Sequence, residues 1–218
     1  MKSAITKYLS GIVLFGALLF LPAGTLCWHH AWLLMGILFI PMLVMGIVMF
    51  CTSPDLLTKR LKNKEDRTTQ KGVVALSGLL FVASFIVAGL NYRYHWHTLP
   101  TSLPYIASII FLIGYGIYAE VMRENTWLSR TIEVQSGQSV VSTGLYGIVR
   151  HPMYTATILM FLAMPLVLDS LIAFCIMLLY IPIIIRRIND EEQLLNAQLK
   201  GYTEYCSQVR WRLMPYIY

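Results

Sequence analysis

The chain has 218 residues, 57% of them hydrophobic and only 13% charged, with a formal net charge of +6 and a mean hydropathy of +0.62. A soluble domain of this size carries about a quarter charged residues, so the deficit excludes an ordinary soluble domain and points to the membrane class. The positive charge is no nucleic-acid signal, because the basic residues sit between apolar runs and no aromatic-basic stripe lies on a soluble element. Cys27, Cys51, Cys175 and Cys206 have no short pairing, which suggests neither a zinc site nor a disulfide framework.

Six apolar segments follow one another: Tyr8 to Cys27, Ala31 to Cys51, Val73 to Leu90, Leu103 to Ala119, Tyr154 to Leu168, and Ser170 to Ile185. The first lacks a small-residue cleavage site and reads as a retained helix rather than a signal peptide. It and the second are long enough to cross a hydrocarbon core of about 30 Å as helices, joined by an interfacial turn at Trp28-His29-His30. Between the third and fourth lie Asn91 to His97 and the Pro100 to Pro104 turn, whose Trp and Tyr suit an interfacial belt. His95 and His97 lack a third ligand for a metal, and interfacial packing is the favoured reading. The last two segments are shorter, and only Asp169-Ser170 separates them. They predict a tight helical hairpin with Asp169 capping its second arm.

With the N-terminus inside, this alternation puts Lys2, Lys7, Lys59, Arg60, Lys62, Lys64, Arg67, Lys71, Arg123, Arg130, Arg150, Arg186, Arg187, Lys200, Arg210 and Arg212 on one side. That is 16 of the 17 basic residues, leaving only Arg93 opposite. The positive-inside rule then predicts a multi-pass protein with both termini cytoplasmic. The 59–71 cluster needs no role beyond topology and contact with anionic lipid.

Two polar stretches face that side, Arg123 to Pro152 and Arg186 to Tyr218. In the first, Thr131 to Gln138 alternates and turns at Ser136-Gly137, which predicts a small hairpin or extended loop against the membrane. Gly144 and Gly147 allow close approach of backbone to a ligand, but they form no GxGxxG and no strand–helix alternation surrounds them. Pro152 occupies the favoured first-turn position of the fifth helix and steers His151 out of helical geometry. His151 therefore stands at a helix entrance beside N–H groups that attract anions, flanked by Tyr146 and Tyr154. A bland alternative has Arg150 snorkelling to headgroups while His and Tyr form a belt. Arg187 and Glu191 lie four apart on one helical face, at the same end of the hairpin that Pro152 opens. The order Arg-then-Glu is the weaker one for a mutual pair, so each is expected to hold a different ligand.

The run Val140 to Tyr154, with Arg150-His151-Pro152-Met153-Tyr154 at its end, and the run Arg187 to Glu192, followed by Leu195, Gly201-Tyr202, Tyr205 and Arg212 to Pro215, resemble the isoprenylcysteine carboxyl methyltransferases and, more broadly, the membrane phospholipid-methyltransferase superfamily. The resemblance covers residues 105–218 of a single membrane domain, 1–218, whose first 104 residues match only as generic helices. It implies an all-α integral membrane protein of about six transmembrane helical segments, with a small cytoplasmic cofactor-binding region and no Rossmann fold. It implies an S-adenosylmethionine-dependent methyltransferase whose acceptor is lipid-like or prenylated and arrives from the bilayer. Carried over by position, the cofactor wall is Gln138, Ser139, Val140, Val141, Tyr146, His151, Pro152, Met153, Tyr154 and Glu191. Arg187 falls on the catalytic, substrate-side arginine, and Gln138 stands where the family often has His. No metal is implied. Two other readings stand beside this one. The first is an NADPH-dependent membrane reductase of sterol-like double bonds, which would need more basic residues around the nucleotide phosphate. The second is a non-catalytic membrane scaffold or transporter, which leaves the clustering at one end unexplained.

Overall fold

The computed structural model describes residues 2–52, 68–96, 98–128 and 134–218. The basic cluster from Lys59 to Arg67, His97, Arg130 and the start of the alternating run at Thr131 lie outside the described residues. Among those described there are eight α-helices and no strand: α1 Lys2–Ala23, α2 His29–Thr52, α3 Thr68–Tyr94, α4 Leu103–Glu124, α5 Pro152–Val167, α6 Leu171–Leu178, α7 Tyr180–Gln198 and α8 Tyr202–Gln208. A 3-10 turn, Gly144–Gly147, precedes α5.

All six expected apolar segments are helical, but among the described residues five helices are long and apolar enough to cross a membrane. Pro152–Val167 is a shorter apolar helix of 16 residues. At 1.5 Å per residue α5 spans about 24 Å, short of a ~30 Å core. The second arm of the hairpin is longer than expected, because α6 continues through Leu179 into α7 and runs on to Gln198. Large apolar side chains such as Val13, Leu21, Ile40, Ile47, Leu79, Ile109 and Ile113 are exposed on the outer faces of α1 to α4. With no water at that depth to satisfy backbone groups, helices are the form such segments take.

Small residues set the closest approaches. A Cβ on Gly114 of α4 would lie 2.9 Å from Met160 Cγ and 3.1 Å from the Ala156 carbonyl, and one on Gly89 of α3 would lie 2.8 Å from Pro22 Cβ. Close backbone contact through glycine is how helices associate where lipid offers no hydrophobic drive. The core between them holds Leu19, Trp28, Leu34, Phe85, Phe111, Met164 and Leu168.

The end of the bundle that carries the 24–28, 95–102 and 168–170 connections is closed by side chain-to-backbone bonds. Asn91 Nδ2 donates to the Asp169 carbonyl (3.1 Å), and Asp169 Oδ1 accepts from Leu99 N (2.7 Å). Asp169 is not the cap expected of it. It sits at φ +60°, in the left-handed region that a helix N-cap does not use. The extended Ser170 caps α6 instead, its hydroxyl accepting from Ala173 N. At the turn between α1 and α2, Trp28 points inward: it is fully buried and stacked on Tyr92 at 4.9 Å.

Candidate active site

The opposite end holds a cleft built from three stretches of chain. The first leaves α4. Asn125 ends that helix, and its amide donates to the Tyr146 hydroxyl (2.8 Å) while its Oδ1 accepts from Trp127 N (3.0 Å). The expected turn at Ser136-Gly137 is present, with Gly137 at φ +76° and Gln138 N donating to the Gln135 carbonyl. The residues described from 134 onward form an extended loop and no strand pair. Gln138 braces this loop, its Oε1 accepting from Gln135 N at 2.8 Å.

The 3-10 turn corrects the expectation for Gly144. Its close approach is to Glu124, not reserved for a ligand. A Cβ there would clash with the Glu124 carboxylate, and the residue sits at φ +49°. Glu124 accepts from Thr143 Oγ1 (2.8 Å) and from Leu145 N (3.2 Å), which ties the turn to the end of α4. Tyr146 is thereby buried against Val121, Met122 and Leu128.

His151 precedes α5 with φ −126° and ψ 60°, outside helical geometry, as a residue before proline should be. One turn in, the Tyr154 hydroxyl donates to Glu191 Oε2 (2.5 Å) and accepts from Arg187 Nε (3.0 Å). One phenol thus links the guanidinium and the carboxylate. Both nevertheless face the cleft, together with Leu195 and Leu199, at a spacing of four residues along α7.

The cleft, about 850 Å³ counted to its open mouth, is lined by all the expected residues except Pro152. Gln138, Ser139, Val140, Val141, Tyr146, His151, Met153, Tyr154, Arg187 and Glu191 all border it. Pro152 starts α5 and is buried behind them. Asn125, Trp127, Leu128 and Leu199 were missed, and Arg150, Leu195, Tyr202 and Tyr205 belonged to the recognised runs without a place in the expected site; these eight complete the lining. The stripe at 187, 191, 195 and 199 offered a signal for two of them. Tyr205 anchors α8 by donating to the Tyr146 carbonyl (2.7 Å). The Tyr202 hydroxyl is buried with no hydrogen-bond partner, the weak thiol of Cys206 one turn on apart. Burial raises the pKa of both phenols above the ordinary tyrosine range, so both remain protonated donors at neutral pH.

Behind the cleft lies a contact that periodicity does not reveal. Glu192 is buried, and its Oε1 accepts from Arg150 Nε (2.8 Å) and lies 3.1 Å from His151 Nε2. Its Oε2 is 2.7 Å from an Arg212 terminal nitrogen. Arg150 therefore does not snorkel to headgroups as the bland alternative had it.

Comparison with known proteins adds two findings. The model of the isoprenylcysteine carboxyl methyltransferase (ICMT) family matches residues 105–197. A Delta(14)-sterol reductase of Mus musculus is 30% identical over 139 residues, covering 56% of this chain and 33% of that protein. The chain thus spans about one third of the length of that relative.

Proposed function

We propose that this chain, whose residues 105–197 match the model of the isoprenylcysteine carboxyl methyltransferase family, is a membrane methyltransferase that uses S-adenosylmethionine and methylates a lipidic acceptor, the carboxylate of an isoprenylcysteine being the family's type case. The observation that carries this reading is the convergence of Arg187, Tyr154 and Glu191 on one cleft where apolar helices end. Ionisable groups at such depth are costly and are retained mostly for function.

The lining fits the donor. The buried Tyr202 hydroxyl, met only by the weak Cys206 thiol, has capacity for a stronger polar partner. Val140, Val141, Leu195 and Leu199 form an apolar wall for a flat ring, and the Tyr146 and Tyr154 faces suit a nearby cation. Glu191 binds Tyr154 through one oxygen and has a second with which to accept from an amino group. S-adenosylmethionine, when bound, supplies an electrophilic methyl carbon on a sulfonium.

The chain's own residues then align and dry the site. Displacement at such a carbon is in line and depends on orientation and exclusion of water more than on an acid or base. Tyr154 holds Glu191 and Arg187 in fixed relation. Arg187 presents a planar guanidinium, which matches a carboxylate acceptor in bidentate fashion. A carboxylate is already ionised at neutral pH and needs no general base. Exposed apolar faces on α1 to α4 suit an acceptor that arrives from the bilayer. Among the described residues, the basic side chains gather at the cleft end and Arg93 at the other. This supports a cytoplasmic site and cytoplasmic termini.

The likeness to the sterol reductase favours a second reading, reduction by a nicotinamide dinucleotide phosphate. The cleft's charges argue against it. Arg150 is already paired with Glu192, and Arg187 is joined through Tyr154 to Glu191. A ligand with several phosphate charges needs cations not so engaged. Titrating the purified chain with S-adenosylhomocysteine and with NADPH separates the two. Binding of the first alone is expected, and binding of NADPH alone would replace methyl transfer with reduction.

A further inference from the structure

Neighbouring residues on an α-helix point about 100° apart, so α7 sends Glu191 and Glu192 in different directions. Glu191 faces the cleft. Glu192 faces inward and is 6% exposed. A buried carboxylate persists only when paired and hydrogen-bonded, and the partners of Glu192 come from two other pieces of chain. Arg150 and His151 belong to the segment that enters α5, and Arg212 belongs to the strap from Val209 to Tyr218.

The strap itself lies along that α5 entrance. Arg150 N donates to the Trp211 carbonyl and His151 N to the Arg212 carbonyl, both at 2.9 Å. Thr155 Oγ1 donates to the Leu213 carbonyl at 2.7 Å, and the Arg150 guanidinium also donates to the Val209 and Arg210 carbonyls. Arg212 reaches Asn189 Oδ1 and the Tyr218 hydroxyl as well. Arg150 and His151 line the cleft with the same side chains that hold Glu192.

We propose that Glu192 is a positioning residue: by clasping Arg150, His151 and Arg212 it fixes the C-terminal strap and sets the rear wall of the ligand cleft. The ligand's chemistry in this proposal rests on the methyltransferase reading, whereas the clasp stands on the geometry alone. Removing the charge frees the strap, and the two cleft side chains lose their anchor. Because binding and clasping share one wall, each strengthens the other by the same factor.

The test uses the full chain in phosphatidylcholine nanodiscs, with S-adenosylhomocysteine affinity measured calorimetrically and strap exposure measured as tryptic cleavage after Arg210. Glu192→Gln is expected to raise the dissociation constant tenfold or more and to speed cleavage tenfold. Saturating S-adenosylhomocysteine should protect the strap of the wild type and not that of the variant, a coupling that a purely structural role would not produce. Arg212→Lys, which keeps a cation, should retain most of the affinity that Arg212→Gln loses. That pair carries the test if Glu192→Gln does not fold. Wild-type affinity in Glu192→Gln, or unchanged cleavage after Arg210, overturns the proposal. A wild type that does not bind S-adenosylhomocysteine refutes the methyltransferase reading, and cleavage without ligand then still decides on the clasp.

Discussion

The two ends of the helical bundle use similar short polar connections in opposite ways. At the Asp169 end, polar side chains are directed at backbone groups: Asn91 donates to the Asp169 carbonyl and Asp169 accepts from Leu99 N. At the cleft end, side chains engage one another through Tyr154, Glu191, Glu192, Arg150 and Arg187. The first arrangement closes a bundle and leaves little for a ligand to do. The second keeps charged groups concentrated around open space. Polarity in a membrane protein is thus informative only when its partners are known, because the same residue types serve closure at one end and binding at the other.

If the ends differ in sidedness as proposed, an all-or-none difference follows for two native cysteines. Cys27, exposed at the Asp169 end, should react with a membrane-impermeant maleimide applied to intact cells, and Cys51, exposed at the cleft end, should not. The reverse pattern would invert the topology.

Substitutions should divide along the same line. Glu191→Ala removes a charged partner of Tyr154 from the cleft and is expected to weaken S-adenosylhomocysteine binding about 100-fold, the roughly 2.7 kcal/mol typical of a hydrogen bond to a charged group. It should exceed the loss caused by Glu192→Ala, because Glu192 acts only through Arg150, His151 and Arg212. Equal losses in a direct titration would remove the distinction between the two faces of α7.

Arg187→Lys keeps the charge but lacks the planar fork. S-adenosylhomocysteine should still bind while methyl transfer to a prenylcysteine acceptor falls about tenfold or more, ~1.4 kcal/mol or greater. Unchanged turnover would point to an amine or hydroxyl acceptor, and lost ligand binding would move Arg187 into the donor wall.

The smallest effect belongs to the closed end. Asp169→Ala removes the acceptor of Leu99 N and puts a Cβ-bearing residue without a polar side chain at positive φ, a combined cost of about 1–2 kcal/mol. The melting temperature in detergent should drop by a few degrees with ligand affinity unchanged. A large change in affinity would show that the two ends are coupled.

Much of the fold was legible in the sequence because lipid leaves few options: long apolar runs become helices, and a polar Asp169-Ser170 pair between two such runs becomes a hairpin. Finer features depended on backbone geometry that composition does not encode. Asp169 and Ser170 are both good caps by residue type, and only the left-handed conformation of Asp169 passes the role to Ser170. Trp28 carried an interfacial signature but stacks in the core on Tyr92, 64 residues away in sequence. In the site, Gln138 to Val141, Tyr146, His151, Met153, Tyr154, Arg187 and Glu191 were readable from their resemblance and from the spacing of four along α7. Glu192 was not, because its partner Arg150 lies 42 residues away and nothing in either helix's periodicity joins them. Gly144 shows the converse, a glycine that suggested a ligand and instead admits the Glu124 carboxylate.

The central claim, that the cleft between α4, α5 and α7 holds a methyl donor, is tested most directly by calorimetric titration of the full chain in nanodiscs with S-adenosylhomocysteine and, separately, with NADPH. Saturable one-to-one binding of S-adenosylhomocysteine, abolished or strongly weakened in Glu191→Ala, with no binding of NADPH, is the predicted result. NADPH binding without any binding of S-adenosylhomocysteine would contradict it.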